Sequence, residues 1–159
     1  MLLAWAIGGP SLGAISDRIR RRKLPYLVAN ISATLLWGIF LLADVPHPLL
    51  YPLFAAMGFA SGGLIVGFAF AREANHPAVA GTVGGVVNMS IVGFAALLQP
   101  LLGFILDRYW DGTLLNGTPS YGAEAYFFAF LWLFSCVFLS VLALIPVAET
   151  RCHMSTEEL

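Results

Sequence analysis

The chain is poor in charge. Only 11% of its 159 residues are Asp, Glu, Lys or Arg, and 59% are hydrophobic. A soluble domain carries about 25% charge. Mean hydropathy is +0.84. So small a soluble protein cannot hide this much apolar surface, and the composition points to lipid as the solvent. No Asp, Glu, Lys, Arg or His falls inside any of four long apolar stretches. Intramembrane ionisable groups usually mark proton relays, so either any proton-coupling carboxylate lies outside this polypeptide or the protein is not proton-driven. Cysteine is scarce too: Cys136 lies within an apolar stretch and Cys152 beyond it. Sixteen helical residues separate such positions by about 24 Å, too far for a disulfide. His47, His76 and His153 sit in connections or the tail with no second ligand nearby. No metal site and no cofactor are expected. Paired acids, a Ser/His arrangement and metal ligands are all missing at membrane depth, which argues against an enzyme. Nucleic acid is not an expected partner, because net charge is -1 and the basic residues concentrate in one short loop.

What is present is apolar length. A membrane helix needs about 20 apolar residues, and four stretches qualify: 25–43, 49–71, 79–106 and 125–148. A fifth, 2–16, is short. It precedes the basic run instead of following it, the reverse of a secretory signal. The expected fold is an all-α polytopic helical bundle over residues 1–148, with a polar, disordered tail over 149–159. Alternate connections lie on alternate sides of the bilayer. Arg18, Arg20, Arg21, Arg22, Lys23, Arg72 and Arg151 share one side, and Arg108 alone occupies the other. Basic loops stay cytoplasmic, so the Arg-rich loop and the C-terminus are expected inside. The expected location is a bacterial inner (plasma) membrane.

A repeat organises these spans. Residues 10–18 read PSLGAISDR and residues 100–108 read PLLGFILDR, identical at six of nine positions. Three spans between the copies place Asp17 inside and Asp107 outside, so the repeat is inverted, as in many secondary transporters. If the second unit begins at Leu49, the first lacks its opening helix, and roughly 40 residues are expected upstream by repeat symmetry. Gly9/Gly13, Gly58/Gly62, Gly63/Gly67 and Gly81/Gly85 form small-xxx-small pairs that let helices approach closely. Pro100 should kink the fourth span.

GAISDRIRRRK resembles the signature loop of the major facilitator superfamily, Gly-x-x-x-Asp-Arg-x-Gly-Arg-Arg/Lys. Gly13, Asp17, Arg18, Arg21 and Arg22 fill its positions, and Arg20 replaces its second glycine. The run from Glu73 to Met89 is similar to the start of helix eleven in bacterial permeases of that superfamily. The resemblance implies the C-terminal portion of such a transporter, from the end of helix eight through helix twelve. It also implies that Asp17, Arg18 and Arg21 latch the cytoplasmic side, with Arg22 and Lys23 as anchors. Gly103, Asp107 and Arg108 are the outer counterparts by repeat, forming a matching contact or simply ending a helix in water. By family geometry Tyr51, Phe54, Met57, Ser61, Asn88 and Ser90 face a substrate cavity, though interhelical hydrogen bonding explains the polar ones equally well. Arg72 and Glu73 read first as a solvated pair, with a latch partner or a local salt bridge as the alternatives, and Glu73, Asn75 and Pro77 are available to cap the fourth span. Asn116-Gly117 reads as a turn, or with Thr118 as a glycosylation acceptor. The implied function is secondary transport of a small solute by alternating access, with the lipid bilayer and the missing N-terminal half as partners. The alternative is a stand-alone small membrane protein with a structural or assembly role.

Overall fold

A computed structural model describes residues 1–115 and 117–153. Helix α1 spans Leu2–Ile19, α2 Lys23–Leu42, α3 His47–Ser61 and α4 Leu64–Glu73. A 3₁₀ turn at Pro77–Val79 leads into α5, Ala80–Arg108. A small antiparallel hairpin pairs β1, Leu114–Leu115, with β2, Thr118–Pro119, and α6 follows over Ala123–Leu144. Among the described residues, four segments are long and apolar enough to cross a membrane: α2, α3–α4 together, Pro77–Arg108, and α6. The fold is all-α apart from that hairpin, and it has the architecture of an integral membrane protein.

The four expected spans match these segments, with two differences. The last helix stops at Leu144 and not at Ala148, because Pro146 brings no N–H and clashes with the preceding turn. The third span is broken at Gly62–Gly63, where Gly62 and Gly63 donate to carbonyls three residues back, Phe59 and Ala60. Glycine lowers the cost of leaving the α-helix here, and closely packed neighbours fix the place. A Cβ on Gly62 would collide with the backbone of Gly8 and Gly9, and one on Gly63 would lie 2.7 Å from Ala29 Cβ. Helices α1 and α3 therefore cross backbone to backbone, a contact only glycine permits. Not every pair is used this way: Gly13, Gly81 and Gly85 have open space around them. Helix α5 runs unbroken through Pro100 for 29 residues, about 43 Å at 1.5 Å each. It is longer than the roughly 30 Å hydrocarbon layer.

Helix α3 packs against α1 and α2, α2 packs against α6, and α5 touches α4 and α6. The first copy of the repeated motif closes α1 and the second closes α5. Asp17 is joined through Arg22 to Glu73 at the end of α4, close to where α5 begins, whereas Asp107 lies at the far end of α5. The two aspartates thus occupy opposite ends of the bundle. Similarity continues into the next helices. Tyr26 aligns with Tyr126 and Ala29 with Ala129, and both alanines are buried, at 4% and 3% exposure.

Candidate functional site

Charge gathers at the end of the bundle where α1 stops. Its last turn closes on Arg20 in the left-handed conformation, φ 51°, which is the position where the resembled motif carries glycine. The turn forms without glycine at a steric cost of about 1–2 kcal/mol. It aims Arg22 back across the bundle. The Arg22 guanidinium donates from Nε to both Glu73 carboxylate oxygens at 2.9 and 3.1 Å. Its Nη2 lies 2.8 Å from Glu73, and Nη1 reaches Asp17 at 2.5 Å and Ser16 Oγ at 3.1 Å. Ser16 is buried and its hydroxyl donates to the Arg21 carbonyl at 2.8 Å. The Arg22 and Glu73 side chains are each 11% exposed, and Asp17 is 67% exposed. Paired in this way, Arg22 holds its proton even more tightly than a free guanidinium, chiefly through the hydrogen bond to Glu73 and against the cost of burial.

The segment after α6 completes the cluster. Glu149 Oε1 accepts from the Arg22 and Lys23 amides at 2.7 and 3.2 Å, so it caps α2 from a distant part of the chain. A carboxylate there satisfies free amides and the positive end of the helix dipole. Burial disfavours the Glu149 carboxylate, but these amides outweigh it and hold its pKa below the usual glutamate range. Thr150 Oγ1 donates to Glu73 at 2.9 Å, and Lys23 Nζ to the Ile145 carbonyl at 2.6 Å. Beside them Cys152 is half-buried, and burial raises its thiol pKa.

Several expectations change here. Glu73 pairs with Arg22, not with Arg72, and it is buried, not solvated, because the loop folds under α4. Arg72 lies across Gly84 of α5 instead. The cap before α5 is His76, whose Nδ1 accepts from the Ala78 amide at 3.2 Å. Arg22 and Lys23 are connected residues and not bare anchors. Arg18 and Arg21 are exposed and make no side-chain hydrogen bond or ion pair among the described residues. Glu149 and Thr150, expected in a disordered tail, are tied to the bundle; residues 154–159 lie outside the described residues.

At the opposite end Asp107 accepts from the Tyr121 hydroxyl at 2.5 Å, and this bond raises the Tyr121 pKa. Arg108 has no ion-pair partner among the described residues. Gly103 has open space, and Tyr109 stacks on Phe128 at 4.0 Å. Asp111 accepts from the Thr113 hydroxyl and amide at 2.7 and 3.0 Å, which lowers its pKa. Gly117 takes φ 81° between the paired β1 and β2, whereas Asn116 lies outside the described residues.

The six cavity guesses do not converge. Tyr51, Asn88 and Ser90 are exposed, Phe54 packs on Phe40, and Met57 is buried. Ser61 alone lines the groove of about 380 Å³ between α2, α3–α4, α5 and α6. Its other polar lining comes from Tyr26, Asn30 and Ser140. Ser140 Oγ lies 3.1 Å from Asn30 Oδ1 and joins α6 to α2. Asn30 and Ser140 fall within the apolar stretches 25–43 and 125–148, but a pairing 110 residues apart carries no local signal. The described residues hold no group of three metal-ligating side chains. The site is therefore a charged clasp at one end of a helical membrane protein, above a groove with uncharged lining. Compared with protein-family models, curated proteins and solved structures, the chain finds no match.

Proposed function

We propose that this chain is the C-terminal part of a secondary transporter of the major facilitator type, built from inverted units that move a small solute by alternating access. The observation that carries this reading is the placement of the two PxLGxIxDR copies. They lie at opposite ends of the bundle, each closing a helix, as an inverted repeat requires. The burial match between Ala29 and Ala129 supports the same relation in the helices that follow.

The clasp then acts as the cytoplasmic latch. Asp17, Arg22, Glu73 and Glu149 join the end of α1, the start of α2, the end of α4 and the segment after α6. Such a network ties one half into a rigid body. The exposed Arg18 and Arg21 are left to meet acidic groups or helix ends on the facing half. Those contacts are individually worth about 0.3–1 kcal/mol, enough to bias two states that differ by a few kcal/mol. Exposed amides at membrane depth, Asn88 and Gln99, favour a protein neighbour beside α5, since hydrocarbon offers them no hydrogen bond.

The test is uptake. In cells with this locus deleted, accumulation of at least one small labelled nutrient or organic anion should fall. Wild-type sequence should restore it, and Arg18→Ala with Arg21→Ala should restore it only in part. Unchanged uptake of every solute on deletion contradicts the proposal.

A further inference from the structure

We infer that the groove beside α5 and α6 seats one more membrane-spanning helix, held there as α3 is held by α1 and α2. The inference rests on the inverted-unit reading and extends it from topology to a surface. With Pro10 set on Pro100, Gly8 falls on Leu98. With Tyr26 set on Tyr126, Leu36 falls on Cys136 and Phe40 on Ser140. On the first side all three hold α3. A Cβ on Gly8 would run into the Phe59 backbone, Leu36 shares a cavity wall with Ala56, Phe59 and Ala60, and the Phe40 ring lies 5.3 Å from that of Phe54. On the second side their equivalents, Leu98, Cys136 and Ser140, line the groove. Burial tells the same story. The apolar window of Pro77–Arg108 is 6% buried, against 33% for α3–α4.

The lining also defines the occupant. None of its residues is charged, so the incoming helix presents no charge, which would be costly to desolvate there. Bulk is exchanged across the seat. Leu98 replaces Gly8, so the occupant needs a small residue facing α5. Cys136 and Ser140 replace Leu36 and Phe40, so it needs large residues facing α6. It runs opposite to α3–α4, starting at the clasp end.

The full chain carrying Cys152→Ser keeps Cys136 as its sole thiol. Placed in phosphatidylcholine nanodiscs, it is offered a leucine-rich peptide of about 20 residues. The peptide carries a glycine stripe on one side and a cysteine among large residues on the other. The control peptide has leucine in place of each glycine. With copper–phenanthroline added as the oxidant, disulfide formation with Cys136 should be roughly tenfold faster for the glycine-striped peptide. A Cys136→Ser, Leu139→Cys chain, with its thiol on an exposed face, should show no preference. Leu98→Trp, which fills the groove, should abolish the preference while helix content by circular dichroism stays unchanged. Equal rates at both positions with both peptides overturn the proposal, as does rapid Cys136 cross-linking between two copies of the chain. Accessibility of positions 17 and 107 is read separately. Seating with both on one side breaks the inverted-unit reading alone, and no seating with them on opposite sides breaks this proposal alone.

Discussion

Replacing Glu73 by Gln separates the clasp's buried part from its exposed part. Glu73 and Arg22 form a forked pair with each side chain 11% exposed, whereas Asp17, on the same guanidinium, is 67% exposed. Leaving a buried charge without its partner costs about 3–5 kcal/mol. Glutamine keeps the shape and some hydrogen bonding, and Asp17 still neutralises part of Arg22. Glu73→Gln should therefore destabilise the bundle by about 2–4 kcal/mol. Asp17→Asn removes a solvent-screened partner and should cost at most about 1 kcal/mol. It should weaken further with added salt, while the Glu73 effect hardly changes. Arg22→Met combined with Glu73→Leu should recover most of the loss, since no unpaired charge remains. Reversible unfolding in mixed micelles, followed by helix content, reads all three. Equal losses for Glu73→Gln and Asp17→Asn, or a double variant worse than Glu73→Gln, would refute the reasoning.

Glu149 gives a pH dependence with a definite sign. Its folded pKa is depressed, so its stabilisation is present above the ordinary glutamate value of about 4.3 and lost as pH falls through the folded value. Maleimide labelling of the half-buried Cys152 should therefore be faster in Glu149→Gln than in wild type at pH 7, with Cys136 labelling unchanged. As pH falls below the ordinary glutamate value, the difference in unfolding between wild type and Glu149→Gln should shrink. Gly8→Leu places side-chain atoms inside the Phe59 backbone and should separate α1 from α3, costing about 1–3 kcal/mol or more. Gly13→Leu, in open space, should be nearly neutral in the same unfolding assay. Arg20→Gly relieves a left-handed arginine and should gain up to about 1 kcal/mol, whereas Arg20→Val should lose stability.

The four spans were legible because lipid imposes one rule along the chain, a long uncharged run, although the last was drawn past Pro146 to Ala148 and stops at Leu144. The repeat was legible because its glycine, aspartate and arginine recur at fixed spacing. The break at Gly62–Gly63 was not, since small pairs occur throughout this chain and only the neighbour selects the one that unwinds. Gly8 and Gly9 supply that neighbour from a helix far away in sequence. Clasp partners were hidden for the same reason. Glu73 beside Arg72 looks like a local pair, and Glu149 looks like a tail residue. Nothing in either neighbourhood reveals that Arg22 and the first amides of α2 will face them. The substrate-facing guesses came from a resemblance, and they scatter because resemblance supplies helix positions more reliably than it supplies which way each side chain points.

The most direct measurement is the sidedness of the two motif aspartates. Single cysteines at positions 17 and 107, in a chain with Cys136 and Cys152 replaced by Ser, would be probed in intact cells and inverted vesicles with a membrane-impermeant maleimide. The account predicts that position 107 labels only from outside and position 17 only from the cytoplasmic face. Both positions labelling from one face would contradict it.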